Sequence, residues 1–145
     1  MKLDYLNKDE YSKVPMLKMV QNNHGDLPFF IRKYSLSNAS TTLHRHEYVQ
    51  INYIYQGKAK HVINKHEFDV IKGDIFVIPP YIPHMIISPQ NTSAEIYEFE
   101  FLPKFINQNF ENIQNTESFL DFAYIEPFLV SENLVKPRLN LVGKE

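Results

Sequence analysis

The segment 43–88 constrains the fold more than any other part of the chain, because histidine, glycine and proline recur in it at defined spacings. The first group reads H-x-H-x3-Q-x6-G and begins at His44, and the second reads G-x5-P-x4-H and ends at His84. Alternate residues of a β-strand point to the same face. In an unbroken strand, His44, His46 and Gln50 therefore share one surface, and His84 must join them from another strand.

Turn residues divide the middle of the chain into short predicted strands. Glycine permits the positive φ that tight turns require, so Gly57 and Gly73 are expected to end strands. We expect a hairpin in which the strand before Gln56-Gly57 pairs with the strand after it. A series of short strands with regular turn signals predicts a sandwich or barrel. The predicted strands are 29–35, 43–55, 58–63, 66–71, 74–78, 84–88 and 95–101.

The two ends of the chain have different patterns from the middle. Residues 1–27 are polar and irregular and are predicted to form an arm, whereas 28–102 form the barrel. Residues 103–145 are predicted to form a helical tail, because Pro103 can start a helix and apolar residues follow at near-helical spacing. A short extended piece is expected near 136–142.

Composition excludes several classes of protein. The 145 residues include no cysteine, which excludes disulfides, thiolate metal ligands and a cysteine nucleophile. A net charge of −2 gives no general attraction to nucleic acid. The sequence has neither a signal-peptide pattern nor an apolar run long enough to span a membrane. We therefore expect one cytoplasmic domain, a size sufficient for a substantial core.

The residues His44, His46, Gln50 and His84 have two interpretations. Three imidazoles and an amide oxygen could hold a divalent metal such as Zn, Ni, Fe or Mn, although Gln50 supplies no negative charge. Alternatively, they are polar residues of a pocket that bond to each other, to water or to an organic ligand. We see no serine nucleophile with an oriented histidine and no phosphate-binding loop, so no catalytic residue is predicted.

Strand alternation also predicts the walls of a ligand pocket with a few convergent polar groups. Tyr97, Phe99 and Phe101 are expected to face inwards, which makes Glu98 and Glu100 a solvated strand face. The full predicted ligand-binding set is His44, His46, Tyr48, Gln50, Asn52, Ile54, Phe76, Ile78, His84, Tyr97 and Phe99. No partner is predicted for the strand residue His61, and His24 and His66 are expected to be solvated.

The two residue groups resemble the two motifs of the cupin superfamily, G-x5-H-x-H-x3,4-E-x6-G and G-x5-P-x-G-x2-H-x3-N. The resemblance implies a mainly β fold, a cupin-like double-stranded β-helix or jelly-roll barrel, here with the helical tail at its C-terminal side. Cupins include enzymes, storage proteins and sensors, so the fold alone does not define the function. Four positions depart from the motifs: Asn38, Gln50, Tyr81 and Ser88 replace Gly, Glu, Gly and Asn. Asparagine also adopts left-handed conformations, which makes the first replacement tolerable.

The longer stretch 43–103 is similar to the N-terminal effector-binding domain of AraC-type transcriptional regulators. This similarity rests on three pieces of sequence: His44-x-His46-x-Tyr48, the segment 73–80 that leads to Pro83-His84, and Glu98-Phe99 to Pro103. It implies a non-enzymatic sensor that binds a small effector, often a sugar. It also implies that DNA is bound by a C-terminal domain, which is absent from this chain. We therefore expect the chain to be the sensor half of a longer regulator.

Two other classes of protein remain open at this point. One is a free-standing, metal-dependent cupin enzyme, either a dioxygenase or a sugar isomerase. The other is a catalytically inert, oligomeric binding module.

The segment 116–129 holds more apolar residues than one helix face can bury against a barrel. We expect a homodimer whose interface includes Phe119, Phe122 or Ile125, since a closed two-fold contact would cover the excess apolar surface. The alternative is that Pro127 ends the helix and the remainder packs back onto the barrel.

Overall fold

The computed structural model describes residues 6–19, 27–102 and 138–141, and most of this part of the chain forms β-strands. The mainly β prediction is confirmed. A short 3-10 turn over Asp9–Tyr11 precedes the first strand. The strands are β1 Met16–Leu17, β2 Phe29–Ser37, β3 Arg45–His46, β4 Val49–Ile63, β5 His66–Ile71, β6 Asp74–Ile78, β7 His84–Ile87, β8 Ser93–Phe101 and β9 Arg138–Asn140. The last strand confirms the extended piece expected near 136–142. The helical tail was predicted over 103–145, and residues 103–137 of it lie outside the described residues.

The 15-residue strand β4 organises the barrel, because its two halves pair with different strands. Its first half pairs antiparallel with β6 and β8, and its second half pairs antiparallel with β5 and β7. Strand β8 also pairs with β2, and β6 pairs with β9. The two halves of β4 therefore present their buried side chains to a common interior.

The predicted hairpin at Gln56-Gly57 is wrong, because the chain continues through these residues as one strand. The pairing register with β8 shifts between Ile54 and Gln56, and Gly57 has a φ of +84°. An irregularity of this kind bends a strand and increases its twist. A Cβ at Gly57 would lie 2.0 Å from the Ser93 carbonyl oxygen, so only glycine fits. The glycine therefore turns β4 from one set of partners to the other.

Other turns follow the sequence prediction. Asn64 and Lys65 have φ values of 46° and 70°, and they form the two-residue turn between β4 and β5. Asn38 adopts a left-handed φ of 50°, as its motif position requires. Tyr81 has a φ of 70°, so it keeps the backbone conformation of the glycine that it replaces. The Tyr81 amide donates to the His46 carbonyl oxygen at 2.7 Å, which ties this loop to β3.

The N-terminal arm covers one part of the barrel. Leu6 and Tyr11 are buried, and the Tyr11 hydroxyl donates to Asn64 Oδ1 at 2.8 Å. Arg45 Nε donates to the Val14 carbonyl oxygen at 3.1 Å, next to the parallel pairing of β1 with β3. Leu6 thus belongs to the apolar core, together with Ile54, Ala59, Ile63, Val70, Phe76, Ile78, Ile82, Ile86, Ala94 and Ile96.

Candidate ligand-binding site

The structure brings three predicted site histidines together. The backbone amide of His44 donates to the His84 carbonyl oxygen at 3.1 Å, and the His84 amide donates back to His44 at 2.8 Å. The His84 ring centroid consequently lies 4.4 Å from that of His44 and 5.0 Å from that of His46. His46 and His84 are fully buried, whereas His44 is partly exposed.

Backbone carbonyl groups fix the orientation of two of these imidazoles. His46 Nδ1 lies 2.7 Å from the Tyr48 carbonyl oxygen, and His44 Nδ1 lies 2.7 Å from the Thr42 carbonyl oxygen. A carbonyl oxygen only accepts hydrogen bonds, so Nδ1 carries the proton and Nε2 of each neutral ring is an acceptor. The Tyr48 ring stacks on His46 with centroids 4.4 Å apart and planes 7° apart. These contacts hold His46 in one orientation.

A fourth histidine, His61, belongs to the same cluster. Its Nε2 lies 3.2 Å from His84 Nδ1, and its ring packs edge-on against Phe76 at 4.9 Å. Strand spacing assigned no partner to His61. The signal was its parity with Ala59 and Ile63, which are apolar residues on the inner face of the same half of β4.

A second polar cluster lies on the inner face of β8 and β4, and the exposed Arg32 of β2 borders it. The prediction of a solvated face for Glu98 and Glu100 is wrong, because both side chains are buried, Glu100 completely. Glu98 lies opposite Arg32 on one side and opposite Asn52 on the other, and Glu100 lies opposite Gln50. Arg32 Nε donates to Glu98 Oε1 at 2.6 Å.

A chain of hydrogen bonds orients the amides of Gln50 and Asn52. Gln50 Nε2 donates to Glu100 Oε1 at 3.4 Å, and Asn52 Nδ2 donates to Gln50 Oε1 at 3.3 Å. The Gln50 nitrogen is the donor of the bond to Glu100, so its amide oxygen points the other way and is available as an acceptor. The Gln50 oxygen then requires a donor, so Asn52 turns its nitrogen to Gln50 and its Oδ1 away.

Three buried polar atoms have no hydrogen-bond partner within the described part of the chain: His46 Nε2, His84 Nε2 and Asn52 Oδ1. Buried polar atoms in folded proteins are almost always hydrogen-bonded, because leaving one unpaired costs about 1–3 kcal/mol. All three belong to residues of the predicted ligand-binding set.

Burial controls the ionisation of the histidine cluster. Burial, together with the neighbouring charge of His44, lowers the pKa of His46 to about 3, and burial likewise lowers the pKa of His61 to about 3. Burial and the surrounding histidines hold the pKa of His84 well below its usual value, and burial also lowers the pKa of His44. The imidazoles are therefore neutral at physiological pH.

Burial affects the acid cluster in the opposite direction, because it raises the pKa of a carboxyl group whereas it lowers that of an imidazole. Burial raises the pKa of Glu98 to about 7, a shift that the hydrogen bond with Glu100 reinforces and that the positive charge of Arg32 opposes. The charge of Glu100 also acts on His44 and raises its pKa against the larger effect of burial, so the two clusters lie within electrostatic range of each other. The interior consequently combines neutral imidazoles with a buried pair of carboxyl groups.

The remaining predicted pocket residues divide between the two faces of the sheets. Ile54, Phe76 and Ile78 are fully buried, as the alternation of β4 and its register with β6 require. Tyr97 and Phe99 were assigned to the wrong face: Tyr97 is 40% exposed and Phe99 is partly exposed.

The reason for this error is the register of β8. It places Ile96, Glu98 and Glu100 opposite inward-facing residues of β4, and Tyr97 therefore points outwards. There the Tyr97 ring meets Tyr55 edge-on at 5.4 Å, and Lys33 Nζ lies 5.7 Å from the Tyr97 centroid. Phe101, at the end of the strand, is buried as expected.

The predicted metal ligands do not fit a metal ion in the arrangement observed. Gln50 Oε1 accepts a hydrogen bond from Asn52 and Gln50 Nε2 donates to Glu100, so both ends of this amide already have protein partners. Within residues 6–19, 27–102 and 138–141, no group of three or more His, Cys, Asp or Glu side chains is placed to hold a metal ion.

The fold and the site together define a cupin-type domain. The long strand β4 joins two sets of antiparallel partners into a barrel, and the H-x-H and G-x5-P-x4-H motifs supply histidines to its interior. Residues 28–134 match the AraC-like ligand binding domain family, and the chain belongs to that family. No curated protein matches the sequence. Among the described residues, no helix has the length and hydrophobicity needed to cross a membrane.

Solved structures confirm the cupin-like barrel. The chain is similar to a Cupin 2 conserved barrel domain protein from Salinispora arenicola, with 19% identity, a TM-score of 0.51, and coverage of 59% of this chain and 72% of that one. A cupin protein from Bacteroides fragilis is 18% identical with a TM-score of 0.51, over 53% of this chain and 68% of that one. The Schizosaccharomyces pombe Cnp3 cupin domain is 16% identical with a TM-score of 0.52, over 60% and 65%. Similarity at these identities shows the fold alone.

Proposed function

We propose that this chain is the effector-sensing and dimerisation domain of an AraC-type transcriptional regulator, and that it binds a small polar molecule inside the barrel. Membership of the AraC-like ligand binding domain family supports a sensing role. The observation that carries the proposal is the set of buried, unpartnered atoms, His46 Nε2, His84 Nε2 and Asn52 Oδ1. A bound effector would supply the partners that these atoms lack.

The proposed binding site lies where the histidine cluster meets the inner face of β4. His46, Asn52 and His84 supply polar contacts, and Tyr48 and Phe76 supply aromatic walls beside them. A few convergent polar groups among apolar walls are typical of small-molecule sites. Sugar-like molecules are effectors of the kind that the family resemblance suggests.

The proposed role is non-enzymatic. The Gln50 oxygen is already bonded to Asn52, and among the described residues no group of three or more His, Cys, Asp or Glu side chains is placed to hold a metal ion. This arrangement suits recognition better than metal-assisted chemistry, which is the alternative offered by a free-standing cupin enzyme. Metal analysis of the purified protein separates the two: stoichiometric Fe, Mn, Ni or Zn would favour the enzyme.

Ligand-induced stabilisation tests the sensing role directly. A molecule that binds only the folded state stabilises it by RT ln(1 + [L]/Kd), so the melting temperature rises with the logarithm of the ligand concentration once this exceeds Kd. We expect a thermal-shift screen of sugars, amino sugars, polyols and small amines to identify stabilising compounds. Their effect should be lost in His84→Ala and retained in His66→Ala, since His66 is exposed at a turn. Stabilisers that act equally on both variants would place the effector elsewhere.

The wider regulator is part of the same proposal. DNA would be bound through a C-terminal domain outside this chain, and the absence of cysteine agrees with a reducing cytoplasm. We further propose a homodimer formed through 116–129, which lies outside the described residues. Sedimentation at micromolar concentration tests for the dimer. Phe122→Glu should dissociate it, and an intact, folded Phe122→Glu dimer would place the interface elsewhere.

A further inference from the structure

The side of the β2–β8–β4–β6 sheet that faces away from the barrel interior is covered mainly by apolar side chains. These are the residues that alternate with the buried ones along each strand, and the pairing register sets them opposite one another in two rows. The first row is Ile31, Phe99, Ile51 and Val77, and the second row is Lys33, Tyr97, Tyr53 and Ile75. Only Lys33 among them is charged. We call this surface the outer apolar face.

The outer apolar face lies outside the barrel core. Ile31 is 57% exposed and Tyr97 is 40% exposed, and the other apolar members are partly exposed. The surface continues to the end of β8, where the Phe99 ring lies 6.0 Å from that of Phe29 and 5.3 Å from that of Phe101. A contiguous apolar surface of this kind usually marks a contact with another segment or molecule.

The outer side of the other sheet has a different character. Lys60 forms an ion pair with Glu67 and lies in register with Asp69, and Lys58 lies in register with Ile71. Charged side chains therefore stand between the apolar ones there. This contrast singles out the outer apolar face as the surface that requires a partner.

The chain connectivity brings the segment 103–137 to this surface. The segment follows β8, which ends at Phe101, and leads into β9, where Arg138 pairs with Phe76 on the far side of β4 and β6. Neighbouring strands lie about 4.8 Å apart, so the three steps from β8 to β9 span about 14 Å. The segment is far longer than this connection requires, and the barrel interior is already filled by the apolar core. The outer apolar face is the apolar surface beside both of its ends.

The first part of the segment has the sequence pattern that this surface requires. Ile106, Phe110 and Ile113 follow one another at spacings of four and three, which gives one apolar stripe on a helix. A helix is about 10 Å wide, so it covers two strands, and 11 residues extend about 16 Å. Residues i and i+2 of a strand lie about 7 Å apart, so such a helix reaches both rows of the face.

We infer that the outer apolar face is the docking surface for 103–115 of the same chain, which packs on it as a helix through Ile106, Phe110 and Ile113. The covalent link to β8 favours this occupant over a second copy, because a short tether gives an effective concentration in the millimolar range. The segment 116–129, whose apolar residues exceed one stripe, stays available for the proposed two-fold contact. The inference is independent of the identity of the effector.

Paired cysteines test the inference in the full chain, which has no cysteine of its own. One cysteine is placed on the sheet and one in the segment, in all nine combinations of Ile51, Tyr53 or Val77 with Ile106, Phe110 or Ile113. A disulfide requires Cα atoms within about 7 Å, so we expect at least one pair to form an intramolecular disulfide in about tenfold higher yield than the control. The control pairs the same segment cysteine with Ile71→Cys, an exposed apolar position on β5. Non-reducing electrophoresis and mass spectrometry identify each product.

The products distinguish the possible occupants of the face. A disulfide that joins two chains would assign the face to a second copy and overturn the inference, as would nine pairs that form no more disulfide than the control.

Thiol labelling gives a second test that needs no disulfide. Phe110→Glu should accelerate maleimide labelling of Tyr53→Cys several-fold, because a buried charge weakens the contact and uncovers the sheet. Labelling of Ala59→Cys, a buried core position, should stay slow and show that the barrel remains folded. An unchanged labelling rate of Tyr53→Cys would also overturn the inference. Effector binding is measured separately by thermal shift, so either failure leaves the sensing proposal to its own test.

Discussion

Gln50 on β4 faces Glu100 on β8, and its amide nitrogen donates to the Glu100 carboxylate at 3.4 Å. The cupin motif places an acid at the position of Gln50. The chain thus retains a buried carboxylate beside this position, but it comes from the neighbouring strand. The amide and the acid form one complementary pair, so substitution of either residue alone should affect stability.

Gln50→Glu should destabilise the protein at neutral pH, because two carboxylates would then face each other in a buried site. We expect a loss of about 1–3 kcal/mol in the free energy of unfolding, measured by urea titration. The paired acids would have raised pKa values in the folded state, so the loss should shrink as the pH falls and one of them is protonated. Gln56→Glu, at an exposed position of the same strand, is the control. Equal effects of the two substitutions would contradict the pairing.

Acidification should destabilise the folded state. The pKa values of His46 and His61 are about 3 in the folded protein and 6.5 when unperturbed. Their contribution is complete above pH 6.5 and is lost as the pH falls towards 3. Glu98 acts in reverse, because its raised pKa of about 7 gives a contribution that is lost as the pH rises from 4.5 to 7. The stability lost by the buried histidines on acidification exceeds the stability gained by the single acid. We therefore expect a lower urea midpoint at about pH 5 than at about pH 7.5.

Glu98→Gln removes the contribution of Glu98 to the pH dependence of stability, which opposes that of the histidines. Glutamine cannot take up the proton that folded Glu98 binds between pH 4.5 and 7. The variant should therefore lose stability more steeply than the wild type as the pH falls through this range. Parallel stability curves for the two proteins, measured by urea unfolding across the range, would show that the Glu98 pKa is not raised.

His61→Leu should leave His84 Nδ1 without its 3.2 Å partner while preserving much of the buried volume. An unpaired buried nitrogen costs about 1–3 kcal/mol, which urea unfolding can measure. The His84 ring should also change its ¹⁵N chemical shifts, a response that loss of packing alone would not require. His66→Leu, at the exposed turn, should change stability by no more than about 0.5 kcal/mol. An unaltered His84 spectrum in His61→Leu would contradict the positioning role.

Gly57→Ala tests the bend in β4. The φ of +84° disfavours any L side chain, and a Cβ would lie 2.0 Å from the Ser93 carbonyl oxygen. We expect destabilisation by about 2 kcal/mol or more, because both the backbone and the β4–β8 pairing must shift. Lys58→Ala, the next residue along the strand, is exposed and should have little effect. A Gly57→Ala protein as stable as Lys58→Ala would show that the strand tolerates another path.

The sequence predicted the inner face of β4 correctly because its parity could be anchored on the motif histidines. From His46 through Tyr48, Gln50 and Asn52 to Ile54, each alternate residue is buried. The second motif, G-x5-P-x4-H, located His84, whose strand β7 pairs with the second half of β4. Residue spacing was therefore sufficient to predict the buried side chains of a strand wherever a motif histidine showed which face of that strand lies in the barrel interior.

Strand β8 contains no motif residue that shows which of its two faces lies in the barrel interior. Its acids and aromatics alternate, and hydrophobicity favours an inward-facing Tyr97, yet the inner face is lined by Glu98 and Glu100. A polar interior reverses the usual assignment, because hydrogen bonding and an ion pair, not apolar burial, hold these side chains inside. Gly57 was misread for a related reason: positive φ serves a bend within a strand as well as a hairpin turn.

NMR of the histidine side-chain nitrogens tests the central claim most directly. A stabilising effector from the thermal-shift screen is added to the protein, and the Nε2 signals of His46, His84 and His66 are followed. The account predicts that His46 and His84 shift, because the effector supplies the partners that these buried atoms lack, whereas exposed His66 does not. An effector that stabilises the protein but leaves both His46 and His84 unchanged would contradict binding inside the barrel.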